Sequence, residues 1–398
     1  MTNTINTHEE DFEKIVRDAG IPVTDEEMQA EWDQINDDQN SLIKNDSAWS
    51  PFWKLISTIV TSPAKWIVNF LIYHLLPNSY VKTAGKPWLD IMAWGLDLER
   101  KDAVEAIGNI TFTRESLNTP VVVPAGTLIH STTINNTIYE MVVISDTDFK
   151  DGEITADVPC KAADTGDNYN LTPGYYQILP VAVAGVVSVR NNDDWLTTPG
   201  ANQERNDELR LRTRNQFTAV GLFHHDAAYR QIISEFAGIR TDFLFFEHDA
   251  PRGPGTANCY IMIESGIPPD DFVEEINTHI TDNGFHGHGD SMICYPIPAI
   301  DTDVTLKVWP VPNLTSTERS QLQQDIENMV RCAFRQNTDY QDRVTQTWAM
   351  SLFSFSRLTE ELHQAFPGIK TLEFENTDII TELNLPVLSN FDFTLEAG

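Results

Sequence analysis

The chain has 398 residues, 41% of them hydrophobic, and Lys+Arg 27 against Asp+Glu 59 leaves a net charge of −32. That length suits roughly two to four domains, and a surface so acidic repels phosphate backbones, which sets nucleic acid aside as a partner. The cysteines (Cys160, Cys259, Cys294 and Cys332) lie far apart with no C-x-x-C pair, so the spacing indicates neither a zinc framework nor a disulfide scaffold, and the thiols are read as reduced.

The opening residues lack the basic and apolar blocks of a secretory leader, so none is expected. Residues 1–46 hold thirteen acids against three bases, a local charge of −10. Within them Phe12, Ile15, Val16 and Ala19 recur at helical spacing, which predicts a short amphipathic helix before Gly20 and Pro22. The whole segment is expected to be an acidic arm that orders against a neighbour.

Composition then inverts. Ser50-Pro51 and Ser62-Pro63 each read as an N-cap followed by proline at the first helical position. Behind the second, Trp66 to Leu76 is apolar nearly all round, broken by Asn69 and His74. Such a helix rises only about 16 Å against about 30 Å of bilayer hydrocarbon, so it is too short to span. It must be covered by protein, either in its own core or in a bundle with other subunits. Trp88, Leu89, Ile91, Met92, Trp94 and Leu96 extend this helical region.

From about Ile107 the period becomes two. Ile110 with Phe112, Val121 with Val123, and Tyr139, Met141 and Val143 mark strands, and Pro124, Gly126 and Asp151-Gly152 mark the turns between them. Val181, Val183, Val186, Val187 and Val189 are expected to supply the last strands. Glu204 to Phe217 reads as a charged helix. A first α/β segment follows, with helices over Asp226–Phe236 and Asp270–Thr281 and strands over Ile239–Phe246 and Ala257–Glu264. A second opens with Val304, Leu306 and Val308 alternating, then a helix capped by Thr315 and Glu318 with Leu322, Ile326, Met329 and Val330 on one face. A helix near Leu358–Phe366 and a strand with Phe391, Phe393 and Leu395 close the chain.

The expected fold is α+β and multidomain: an N-terminal helical region, a β-rich middle domain and two α/β C-terminal modules. The boundaries read as 1–46 for the acidic arm, 47–105 for the apolar helices, 106–200 for the β-rich domain, and 201–300 and 301–398 for the modules.

Candidate chemistry is thin. Gly284-Phe-His-Gly-His-Gly-Asp290 puts His286 and His288 two apart, which suits neither a helical zinc site nor a paired-cysteine motif. A turn whose histidines are solvated or meet another subunit is the reading. His224-His225-Asp226 opens a helix, with Asp226 placed as its N-cap. His279, beside Ile276 and Ile280, reads as a hydrogen-bonded core or interface histidine. Arg252-Gly-Pro-Gly255 lacks the lysine and hydroxyl of a phosphate loop and is taken as a turn. No catalytic, cofactor-binding or metal-binding residue is assigned.

An ordered series of short motifs carries a family resemblance across residues 42 to 300. It runs through Leu89-Asp90, Gly95-Leu96, Arg100, Ala106-x-Gly108 and Pro124-Ala-Gly-Thr127, then Ala162, Ala163, Gly166 and Asn168. Val189-x-Asn191, Gly200, Glu204, Asp207, Glu208, Arg210, Arg212 and Arg252-Gly-Pro-Gly255-Thr256 complete it. The series resembles the baseplate J family, the wedge proteins of contractile phage tails and related injection machines. The resemblance implies a structural, non-enzymatic part of the virion tail baseplate, assembled in the host bacterial cytoplasm. A second copy of the chain, other wedge proteins, hub or spike proteins and sheath-initiating proteins would be its partners, with no nucleic acid and no stable membrane insertion.

The same resemblance implies that the N-terminal helices enter an intersubunit bundle and that interfaces rearrange to release the sheath. Trp53, Trp66, Phe70 and Tyr73 are then the expected bundle anchors, aromatic residues being favoured at interface hot spots. A tailocin or other contractile injection system is an equivalent setting. A tail-associated hydrolase is the rival of a different class.

Overall fold

A computed structural model describes residues 11–39, 51–117, 120–218 and 225–396, without the side chains of 51–54, 57, 217 and 218. The chain divides into two compact units, Met1–Glu99 and Arg100–Gly398.

In the first unit, α1 (Phe12–Asp18) starts at Asp11, whose carboxylate accepts the Lys14 amide. Helix α2 (Asp25–Asp38) opens with a full capping box between Thr24 and Glu27. Residues 11–39 of the expected acidic arm thus form two capped helices. Val16, Val23 and Met28 lie inward and close a small core with Val68 and Ile72. Those apolar positions pack the acidic segment against its own chain.

Helix α3 runs unbroken over Pro51–Phe70 with Pro63 inside it, so the second N-cap expected at Ser62 is not formed. Proline removes one amide donor and crowds the preceding turn. The helix nevertheless continues past Pro63 and seats Val68 and Ile72 in the core. Ser50, the first expected cap, lies outside the described residues. A π-helical turn (Leu71–Leu75), a 3₁₀ turn (Pro77–Ser79) and α4 (Trp88–Trp94) follow. Among the described residues no helix is long and apolar enough to cross a membrane.

The second unit begins with a nearly closed barrel. Its strands are β1 (Glu105–Arg114), β2 (Val122–Val123), β3 (Leu128–Ser131), β4 (Glu140–Val143), β5 (Thr147–Asp148), β6 (Thr155–Thr165), β7 (Tyr176–Ile178), β8 (Val186–Arg190) and β9 (Leu196–Thr198). The main sheet runs β7-β3-β4-β6-β1-β8, with β9 also on β1. Alternation in β1 turns Ile110 and Phe112 inward, where Ile129, Met141, Tyr176 and Trp195 fill the interior. Val181 and Val183 belong to a loop rather than a strand, because Pro180 and the left-handed Gly185 break the alternation before β8.

At the ends of the sheet, Asn191 joins β7 to β8. Its Oδ1 accepts from the Gly174 and Tyr176 amides, while its Nδ2 donates to the Leu171 and Thr172 carbonyls.

Helix α5 (Asn206–Thr218) leads to the first module: α6 (Asp226–Ile233), β10 (Leu244–Glu247), β11 (Thr256–Ile261), α7 (Asp270–Asp282) and β12 (Ser291–Pro296). The strand expected from Ile239 starts only at Leu244, since Thr241–Phe243 coils into a 3₁₀ turn. Strands β11 and β12 are parallel, bridged by α7, which buries Phe272, Val273, Ile276 and Ile280.

The second module comprises β13 (Ala299–Pro310), α8 (Ser316–Ala333), β14 (Leu352–Phe353), α9 (Phe355–Ala365), β15 (Ile369–Phe374), β16 (Ile379–Ile380) and β17 (Leu385–Leu395). The Thr315–Glu318 capping box forms as expected, and α8 and α9 pack on the sheet β15-β13-β17. The two modules share a buried cluster of Phe243, Met262, Ile297, Ala349 and Leu385. The fold is α+β throughout, with helices first, the barrel in the middle and the α/β modules last.

Candidate functional site: an uncovered helix face and a polar junction

Helix α3 and its π-helical extension bury one stripe and leave the other bare. Val68 and Ile72 are inward, whereas Trp66 is 69%, Tyr73 60% and Phe70 40% exposed. These three stand at i, i+4 and i+7, one stripe of a helix surface. Trp66 stacks on Phe70 at 5.9 Å between ring centroids, and Phe70 on His74 at 5.7 Å, so the rings form a continuous shelf. Leu55, Ile59 and Ile67 extend the exposed apolar surface. The side chain of Trp53 lies outside the described residues. Helix α4 adds a second bare stripe in Trp88, Ile91 and Trp94. The helix expected to be covered on every side is thus half covered within this chain.

In the second unit, the motif residues converge on a polar junction between the barrel, α5 and the modules. Glu204 is buried and accepts from Arg212 Nε at 2.8 Å and Nη2 at 2.7 Å, and from the Lys101 amide at 3.1 Å. Arg100 donates to the Glu204 carbonyl at 2.6 Å and to Asn206 Oδ1 at 2.9 Å. Lys101 Nζ donates to the carbonyls of Ser234, Phe236 and Ile239, just beyond α6. Burial lowers the Lys101 ammonium to about 8, against the pull of Glu204.

Glycines permit the close approaches here. A Cβ on Gly200 would lie 2.3 Å from the Gly166 oxygen, and one on Gly108 2.3 Å from the Trp195 oxygen. Asn170 exchanges both amide bonds with the Gly200 backbone, at 2.8 and 2.7 Å. A cavity of about 140 Å³ remains, lined by Asp167, Asn202, Arg205, Arg240, Glu264 and Gln341. Its acids are engaged: Asp167 accepts from Asn202 at 2.7 Å, and Glu264 pairs with Arg240 at 3.5 Å.

The candidate histidines fall apart from this junction. His286 and His288 are exposed in the turn after α7, and among the described residues no cluster of three His, Cys, Asp or Glu could hold a metal. His279 is half-buried between the rings of Phe236 and Phe285. Asp226 is the first residue of α6 rather than its N-cap, which is His225 with an extended backbone. The Asp226 carboxylate instead reaches His248 at 3.4 Å. His224 lies outside the described residues. Arg252 is more than a turn residue, since its guanidinium ties Asn258 and the Ala257 and Ser291 carbonyls and so clamps β11 to β12. Sequence reasoning missed Lys101, whose three acceptors are more than a hundred positions away, and missed the pairing of Glu204 with Arg212.

A packed barrel braced by buried polar contacts, with a bare aromatic helix face on the other unit, has the features of a structural assembly subunit. The model of the baseplate J-like protein barrel domain matches residues 109–198, nearly the whole barrel. A putative baseplate protein, gp29 of Haemophilus phage HP1 (strain HP1c1), is 39% identical over 373 residues, spanning 92% of this chain and 94% of that protein. The chain belongs to the baseplate J-like family. Among solved structures, the cryo-EM, 6-fold symmetrised anti-feeding prophage baseplate aligns over 88% of this chain and 94% of that chain, at 11% identity and a TM-score of 0.33. That overlap is too loose to carry detail across.

Proposed function

We propose that this chain is a structural wedge subunit of a contractile tail baseplate, and that it assembles through the bare face of α3. Trp66, Phe70 and Tyr73, with Trp53 on the same helix, are the proposed contacts, and a helix from a neighbouring subunit is the proposed occupant. The carrying observation is the Trp66–Phe70–His74 stack, three rings aligned along an exposed helix. Large aromatic rings each bury about 150–250 Å², and at about 25 cal/mol per Å² one half-exposed ring contributes about 2–3 kcal/mol when covered. The neighbours in this reading are a second copy of the chain, other wedge proteins, and hub and sheath-initiating proteins. Rearrangement of these contacts would release the sheath.

Co-expression with the neighbouring tail proteins and pull-down of the tagged chain tests the reading. Phe70→Asp should abolish co-purification, and Trp66→Ala should weaken it, while both variants keep the wild-type circular dichroism. Unchanged capture by Phe70→Asp would remove the helix face from assembly. A vesicle flotation assay should leave the protein in the soluble fraction; flotation would turn the same face into a membrane-docking surface.

A further inference from the structure

Two of the free thiols form a pair, and the other two stand alone. Cys259 of β11 and Cys294 of β12 are direct partners in the parallel ladder, so their side chains leave the sheet on the same face. Both are buried in the core that α6 and α7 close over that face. The Cys294 thiol lies within hydrogen-bonding reach of the Cys259 thiol. Cys160 belongs to the barrel core and Cys332 to the core of the second module, each with no other cysteine in its cluster.

The backbone holds the pair at bonding range. Neighbouring strands lie about 4.7–4.9 Å apart, inside the span of roughly 4.4–6.8 Å between α-carbons that a disulfide bridges. Asn277 of α7 accepts the Cys294 amide at 2.7 Å and donates to the Cys294 carbonyl at 2.9 Å, which fixes the outer edge of β12. From the loop before β11, Arg252 clamps the same two strands. Solvent comes close to the sulfurs on the α6 side. Asp226 and Tyr229 of α6 line a groove of about 320 Å³ together with Met292, two residues before Cys294. Cys259 is within electrostatic reach of Asp226, and Cys294 of Tyr229, so the sulfurs lie beneath that groove.

We infer that Cys259 and Cys294 are a thiol oxidation site, at which a peroxide closes a disulfide between β11 and β12. One sulfur attacks a peroxide oxygen, the O–O bond breaks, and the thiol proton leaves with the departing hydroxide as water, giving a sulfenic acid. The second sulfur displaces that hydroxyl. The S–O bond breaks, the S–S bond forms, and the second thiol proton leaves with the hydroxide as another water. Two thiols and one peroxide thus give one disulfide and two waters, the sulfurs being oxidised and the peroxide oxygens reduced. Burial pushes the Cys259 thiol up, so it stays protonated at neutral pH and the pair persists as thiols until a peroxide arrives. The link joins the central strand of the sheet to its edge and closes a loop that contains α7.

Peptide mapping of the full-length protein tests the site. The chain is treated with hydrogen peroxide under conditions that leave its circular dichroism unchanged, then unfolded in excess N-ethylmaleimide. Alkylation should fall from four thiols to two, with Cys160 and Cys332 the two that react. Cleavage after Glu264 and Glu275 puts Cys259 and Cys294 on separate peptides, which should stay joined without reductant and part when dithiothreitol is added. Cys259→Ala should give no joined peptides after the same treatment. Full alkylation of Cys259 and Cys294 in the treated wild type would overturn the inference. So would their conversion to sulfinic acids without a link, or links to Cys160 or Cys332. The wild-type map decides alone if Cys259→Ala does not fold.

Discussion

Replacing Glu204 with alanine takes the opposite charge away from a buried guanidinium. In the native chain the Glu204 carboxylate takes two bonds from Arg212 and one from the Lys101 amide, and both members of the ion pair are buried. Removing one partner of such a pair costs about 3–5 kcal/mol, because the remaining buried charge loses its opposite charge. Glu204→Gln keeps the shape and one acceptor oxygen, so its loss should be smaller, about 1.5–3 kcal/mol for charged hydrogen bonds weakened. Glu204→Leu with Arg212→Leu removes both charges and should be less harmful than Glu204→Ala, although the Lys101 amide still loses its acceptor. Urea unfolding of the full chain, followed by far-ultraviolet circular dichroism, ranks the three variants. The reasoning fails if Glu204→Ala stays within about 1 kcal/mol of wild type. It fails equally if the double variant is the least stable, since the pair would then be net attractive rather than mutually neutralising.

Lys101→Met should lower the melting temperature at neutral pH by removing the ammonium that the Ser234, Phe236 and Ile239 carbonyls share. Between about pH 8 and 10.5 the folded wild type binds fewer protons than the unfolded chain, so its stability should climb relative to the variant, by at most about 3 kcal/mol. Paired urea titrations across that window would show parallel curves if the lysine were not buried. Gly108→Ala should cost about 1–3 kcal/mol by overpacking, its Cβ meeting the Trp195 oxygen at 2.3 Å. Gly95→Ala, whose nearest atom would be 3.5 Å away, is the control expected to leave the thermal melt unchanged.

The barrel strands were legible where one face is buried. Ile110 with Phe112, and Met141 with Val143, alternate because each inward residue contacts the filled interior and each outward one meets solvent. Helix α8 was legible from its cap, a purely local bond between Thr315 and Glu318. Helix α2 was not, because its charge masks the single deeply buried position, Met28. The path of α3 through Pro63 was also hidden, since Ser62-Pro63 carries the local signature of a helix start. In the second unit the motif glycines were visible but not their purpose. Gly166 and Gly200 are 34 positions apart in the chain, and only the folded backbone brings the oxygen of one beneath the α-carbon of the other. The aromatic anchors of the N-terminal helices were named from the family resemblance, and the structure adds that Trp66, Phe70 and Tyr73 are exposed.

The closure at Asn191 gives the barrel a preferred line of failure. Around most of the hoop, neighbouring strands are laced by backbone ladders, as between β1 and β6, where many bonds share a load. Between residues 171–176 and the end of β8, the Asn191 side chain supplies four links and its backbone two more, so that gap is held through a single residue. Loss of that one side-chain amide would remove all four of those links together and leave the β1–β6 ladder in place.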